Sequence, residues 1–165
     1  MNAGQKGKSM VKWEEAREAS NMKLVSACLM GVNCKYNGKN NYRPKVAEQC
    51  KEAVRICPEV MGGLKIPHVP SEIQKGYSGL DVLEGRAKVI SAEGGDMTAY
   101  FLNGAREVLR ISEKAGAKQI YLKQSSPSCG CGKIYDGTFC GRKENGYGVC
   151  AALLRQEGFE VIPIE

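Results

Sequence analysis

The sequence is short of several things, and each shortage narrows the choice. In 165 residues no apolar run approaches the roughly 20 that a membrane span requires. Residues 1–22 (MNAGQKGKSMVKWEEAREASNM) carry no apolar central region of the kind a secretory signal needs, so a cytoplasmic location is expected. No internal repeat, low-complexity tract or second domain is visible. The single histidine, His68, lies in an irregular stretch and reads as a loop residue before it reads as a ligand. No two cysteines have the C-x-x-C spacing of a zinc ribbon or a ferredoxin.

What the chain does contain is ordinary in bulk and unusual in one respect. Hydrophobic residues at 42% and charged residues at 25% are those of a globular protein, and the length suits one domain with a full core. The net charge of +6 favours anions such as nucleotides or RNA, although the excess is spread along the chain. The unusual feature is eight cysteines. With nothing directing export, that count points to metal binding or thiol chemistry, not to disulfides. Cys50 and Cys150 read as small buried apolar residues.

Periodic structure begins at Lys23, so residues 1–22 are expected to be an appended tail, disordered or a short helix around 11–19, and 23–165 the domain proper. Lys23 to Leu29 is a short apolar run and reads as a buried strand. After a polar loop, Pro44 opens a helix through about Ala53, and Val54 to Cys57 is the next strand, stopped by Pro58. Residues 61–79 read as irregular. Apolar residues return at spacings of three and four from Met97 to Lys114, predicting a helix that Gly116 caps. Residues 119–123 form a strand followed by the loop SSPSCGCGKIYDG. Gly146 opens a last helix through about Gln156, and 159–162 is the final strand. This alternation predicts an α/β domain whose sheet is mainly parallel, with helices on both faces.

In open α/β sheets ligands bind beyond the carboxyl ends of the strands. Cys28 and Cys57 close the first two strands, and Cys129 lies in the loop after a later one. Although 29 and then 72 positions apart, the three are expected from strand placement to converge on one edge. Cys34 and Cys131 could reach the same edge as alternate ligands. Three thiolates on a four-iron cubane leave one iron without a protein ligand, a thiophilic Lewis acid suited to a thiocarbonyl. Near this edge lie Glu59, able to take a proton from water, and Ser126 and Ser128, able to position it. Each also has a plain structural reading, as a cap or as turn chemistry.

The segments SACLMGVNCKYNG (26–38), CPEVMGGL (57–64), SEI (71–73), GDMT (95–98) and SPSCG (126–130) with IYDG (134–137) resemble the thiouracil desulfidase family, in the family's order, over about residues 23–165. The resemblance implies a single Rossmann-like domain holding a [4Fe-4S] cluster on Cys28, Cys57 and Cys129. It also implies hydrolytic, non-redox removal of sulfur from a thiolated pyrimidine. Glu59 matches the family's catalytic glutamate, and Ser126 or Ser128 its serine. Expected substrates are a small thiobase or thionucleotide, with thiolated RNA a further candidate and no membrane partner.

Two loops depart from the family's pattern. Lys35-Tyr36-Asn37-Gly38 stands where Arg-Tyr-Asp-Gly is usual, and Gly62-Gly63-Leu64-Lys65-Ile66-Pro67-His68 where Gly-Gly-Leu-Pro-Thr-Pro-Arg is usual. Lys35, Tyr36 and Asn37 are therefore expected to bind substrate, without the planar guanidinium that makes bidentate anion contacts. Two other classes of function compete: a zinc- or thiol-based binding module, and a cluster-bearing RNA-binding protein without desulfidase activity.

Overall fold

A computed structural model describes residues 21–165. The tail expected at 1–22, with its short helix at 11–19, falls outside the described residues except for its last two.

Four strands build the main sheet: β1 (Lys23–Ser26), β2 (Val54–Ile56), β5 (Gln119–Lys123) and β8 (Glu160–Ile164). Their order is β2-β1-β5-β8 and every pairing is parallel, as the alternation of strands and helices predicts. Successive side chains of a strand point to opposite faces, so each strand contributes to two cores. Leu24, Ile56, Ile120 and Leu122 face one side and Val25 and Tyr121 the other.

The first face is covered by α4 (Thr98–Ala115) and α5 (Val149–Gln156). In α4 the buried residues Phe101, Ala105, Val108 and Ser112 recur at helical spacing, and Gly116 in the left-handed region (φ 63) ends it. Burying Phe101, Leu24, Ile120 and Leu122, each at most 1% exposed, is worth about 1.5–3 kcal/mol per side chain. The second face carries α1 (Pro44–Gln49) and a turn of 3-10 helix at Ala27–Met30. Helices thus lie on both faces, as expected. Among the described residues no helix is long and apolar enough to cross a membrane.

Several local expectations need correction. The first strand ends at Ser26, and Cys28 sits in the 3-10 turn beyond it. The β1–β5 ladder stops at Val25 and Tyr121, because the Lys123 N–H goes to the Ser26 hydroxyl at 3.0 Å. Pro58 does stop β2, and it also opens a short helix, α2 (Pro58–Met61), where proline fits the first position. The helix at 44–53 stops at Gln49. The last helix begins at Val149, since Gly146 pairs with Gly132 in a hairpin.

Two antiparallel hairpins went unforeseen: β3 (Ser71–Ile73) with β4 (Val89–Ser91), and β6 (Cys131–Tyr135) with β7 (Lys143–Tyr147). So did a short helix, α3 (Gly79–Leu83). Strands of three residues cannot display a period, and β7 (KENGY) has no apolar alternation to read.

Candidate functional site

The strand order fixes where the chemistry gathers. With β1 between β2 and β5, the carboxyl ends of three strands lie side by side, and the residue runs leaving them carry Cys28, Cys57 and Cys129. All three line one cavity of about 420 Å³, a size suited to a small ligand. Cys34 lines it as well. All four thiols are free. Cys131 points away into the first-face core, and Cys50 and Cys150 are buried there or on the second face, consistent with packing roles.

Each cysteine is held by local structure. Cys57 is the N-cap of α2, which is fixed by its crossing with α4: Gly62 and Gly104 meet there, and a Cβ on Gly104 would collide with the Pro58 carbonyl. Cys129 lies in a turn whose Ser126 hydroxyl accepts the Cys129 N–H at 2.8 Å. That turn opens at Ser125, which adopts φ 80. The start of α5 clamps it from behind, with the N–H groups of Val149 and Ala151 donating to the carbonyls of Pro127 (2.7 Å) and Ser128 (3.1 Å). Gly148 touches the Ser128–Cys129 peptide so closely that a Cβ would stand 2.5 Å from the Ser128 carbonyl.

Hydrogen-bond donors surround the sulfurs. The Asn41 amide donates to Cys28 Sγ at 3.5 Å. The hydroxyls of Ser26 (3.8 Å) and Ser128 (3.7 Å) donate to Cys129 Sγ. The Cys34 side chain lowers the Cys28 pKa to about 7 through its hydrogen bond, with Asn41, Lys123 and Lys35 assisting against burial. The Cys57 thiol is lowered too, again chiefly by Cys34. Cys34, the donor to both, is pushed far up. Burial pushes Cys129 well above the usual thiol range, with charge on Cys57 adding to it. Donors aimed at sulfur serve thiolates, and a metal deprotonates a coordinating thiol outright. The three cysteines therefore suit a thiolate-ligated metal cluster.

Among the described residues no three His, Cys, Asp or Glu side chains are arranged to hold one metal ion. A cubane asks for something different, thiolates spread around its corners. A structural zinc asks for four ligands converging on a point.

Beside the thiols stand the other predicted residues. Glu59, in the first turn of α2, lines the cavity, and burial raises its pKa against the opposing charge of His68. Ser126 and Ser128 line it too, their hydroxyls 3.2 Å apart. Ser128 is 2% exposed and committed to Cys129. Lys35 and Tyr36 line the cavity, whereas Asn37 is exposed and turns back to accept the Lys39 N–H at 3.1 Å. His68 bonds within its own loop, Nδ1 to the Lys65 carbonyl at 2.7 Å, and its ring meets Tyr36 edge-on.

Sequence reasoning missed part of the wall. Lys123 is half-buried at the end of β5, and its pKa is lowered by burial first and by Arg43 next. The strand-end rule that found the cysteines could have found it. Ser71 and Glu72 come from the unforeseen hairpin. The Ser71 hydroxyl is buried and has no hydrogen-bond partner among the described residues, while Glu72 accepts backbone N–H groups from the segment after β6.

Comparison with known proteins places the chain in a family. The model of the family described as 2-thiouracil desulfurase matches residues 24–165. An uncharacterized protein of Bacillus subtilis (strain 168), YbbK, is 46% identical over 143 residues, which is 86% of this chain and 94% of that protein. A solved structure, the [4Fe-4S]-dependent thiouracil desulfidase TudS, superimposes with a TM-score of 0.75 at 34% identity, covering 87% of this chain and 91% of the other. On the extent of the family match and the identity to these relatives, this chain belongs to the 2-thiouracil desulfurase family.

Proposed function

We propose that this protein removes sulfur from a thiolated pyrimidine, 2-thiouracil, 4-thiouracil or a 4-thiouridine nucleotide, replacing it with oxygen from water. The observation that carries the reading is the shared cavity. Three cysteines from three strand ends line it together with a carboxylate and a pair of serines. Residues 23–165 form the iron–sulfur domain in this reading. Cys28, Cys57 and Cys129 would hold a [4Fe-4S] cluster, which when bound supplies a thiophilic Lewis acid to the substrate's sulfur.

The chain's own residues then have distinct tasks. Glu59 takes the proton of the attacking water. Its raised pKa makes it a stronger base than an exposed carboxylate, and no described side chain donates a hydrogen bond that would weaken it. Ser126 is the better-placed serine, because Ser128 is nearly inaccessible and bonded to Cys129. Ser126 hands its hydroxyl proton toward Ser128 or the substrate while its oxygen accepts the Cys129 N–H, coupling the turn to the ring. Lys35 and Lys123 bring two cationic groups to a wall that also holds Glu59 and Glu72, and they suit sulfide that leaves as an anion or a phosphate on a nucleotide substrate. Atoms balance: a C=S carbon gains oxygen from water and loses sulfur as sulfide, with no change in oxidation state.

The test is anaerobic. Reconstituted protein should be brown, contain iron and acid-labile sulfide, and release sulfide from at least one of the three substrates. Colourless protein with stoichiometric zinc after reconstitution would instead favour the binding-module reading. Holoprotein that releases no sulfide from any of them would leave the cluster-bearing RNA-binding reading.

A further inference from the structure

Three aromatic rings stand in the cavity wall: Tyr36, Tyr135 and Phe139. Two of them are already engaged. Tyr36 meets His68 edge-on at 6.5 Å, and the Lys143 ammonium lies over the Tyr135 ring at 5.5 Å. Phe139 is 40% exposed, and among the described residues its ring has no aromatic or cationic partner.

One exposed phenylalanine is unremarkable by itself. The backbone beneath it is not. Phe139 adopts φ 57, in the left-handed region that bulky residues rarely enter. Such a conformation persists only where the surroundings over-determine it, and it tends to mark functional positions. The surroundings here are specific. The Phe139 N–H donates to both carboxylate oxygens of Glu72, at 3.1 and 3.3 Å, and the Gly137 N–H joins them at 3.3 Å. Asp136 closes the turn by accepting the Thr138 N–H at 3.0 Å and its hydroxyl at 2.5 Å.

Glu72 reaches this segment from β3 and is 6% exposed. Burying a carboxylate is unfavourable unless it is hydrogen-bonded, and the Gly137 and Phe139 N–H groups supply those bonds, tying the segment to β3. The backbone alone does not call for phenylalanine, since glycine or asparagine would enter this region with less strain. What phenylalanine adds is a flat apolar face on the cavity.

We propose that Phe139 is the stacking face for the substrate's pyrimidine ring and that Glu72 is the positioning residue that holds it there. The proposal rests on the thiopyrimidine reading and adds a specificity element to it. Stacking on an aromatic side chain is tolerant of substituents, because every pyrimidine has a π-face. It orients the ring and leaves its polar edge free to be read by the rest of the wall.

The test uses reconstituted holoprotein, with KM and kcat for 2-thiouracil and equilibrium binding of uracil measured in parallel. Phe139→Ala should raise KM and the uracil Kd by about 5- to 150-fold, the usual range for losing one base–aromatic stack, with kcat changed less. Phe139→Tyr should stay near wild type. Phe139→Asn, which tolerates the left-handed backbone, should lose binding while its melting temperature holds or rises. A ring that served only folding would not move those two readouts in opposite directions. Glu72→Gln should weaken binding in part and add nothing to Phe139→Ala in the double variant.

Wild-type uracil affinity in Phe139→Ala and Phe139→Asn would overturn the stacking role. Full additivity of the double variant would overturn the positioning role. If wild-type holoprotein neither binds uracil nor releases sulfide from any thiopyrimidine, the parent reading falls and this one with it. Wild-type binding with unaffected Phe139 variants removes the stacking proposal alone.

Discussion

Replacing Glu59 by glutamine separates its chemical task from any structural one. The carboxylate lines the cavity and accepts no hydrogen bond from a described side chain, so the amide breaks no bond that holds the fold. The backbone carbonyl that accepts the Leu64 N–H at 3.1 Å is untouched. Folding and cluster content should therefore match wild type. Losing a positioned general base typically slows the chemical step by about 10²–10⁴, or roughly 3–5 kcal/mol of transition-state stabilisation. The loss should fall on kcat, since proton transfer belongs to the transition state and not to ground-state binding. Glu59→Asp keeps the base but withdraws it by about one carbon–carbon bond, and misplacement of roughly 1 Å can cost about 10² in rate. The assay is initial-rate sulfide release by holoprotein, beside iron and sulfide content and melting temperature. An unchanged kcat in Glu59→Gln assigns the base elsewhere. Lost iron with a lowered melting temperature makes Glu59 a structural residue and refutes the argument.

Cys129→Ser should fail to retain iron on anaerobic gel filtration, whereas Cys50→Ser and Cys150→Ser should retain it, with Cys150→Ser melting lower because its hydroxyl would be fully buried. Full iron in Cys129→Ser would remove that residue from the ligand set. Gly148→Ala should push its Cβ onto the Ser128–Cys129 peptide and reduce both iron content and stability, the latter by about 1–3 kcal/mol. Gly104→Ala should destabilise at least as much through the Pro58 carbonyl, and urea titration of both variants would check these values. Burial, with Asp136 adding to it, raises the Glu72 pKa above its usual 4.5, while the Gly137 and Phe139 N–H groups oppose the shift. The folded state therefore takes up a proton more readily there. The stability this confers is complete below about 4.5 and is lost as pH rises through the raised value. Urea midpoints across that window should fall for wild type and fall less steeply for Glu72→Gln, the raised Glu59 keeping part of the slope; identical slopes would refute the assignment.

The chain's local signals determined the broad architecture and half of the candidate site. Alternating strands and helices were legible because Leu24, Val25, Ile120 and Leu122 sit in short apolar runs, and because α4 repeats its buried residues at helical spacing. Strand ends then placed Cys28, Cys57 and Cys129 on one edge, with Glu59 and the serines close to two of them in sequence. Tertiary structure decided the other half. Ser71, Glu72, Tyr135 and Phe139 reach the cavity from hairpins too short or too polar to show a period; the SEI and IYDG segments mark the first three as family motifs without placing them at the site, and nothing local marked Phe139. Cys34 settles between Cys28 and Cys57, and Asn37 turns outward, through loop closure that spacing does not encode. The Glu72 carboxylate meets the Phe139 N–H across 67 positions. Periodicity reports which face of an element is buried. Which loop side chains then meet depends on how separate elements pack, and that is a property of the whole fold.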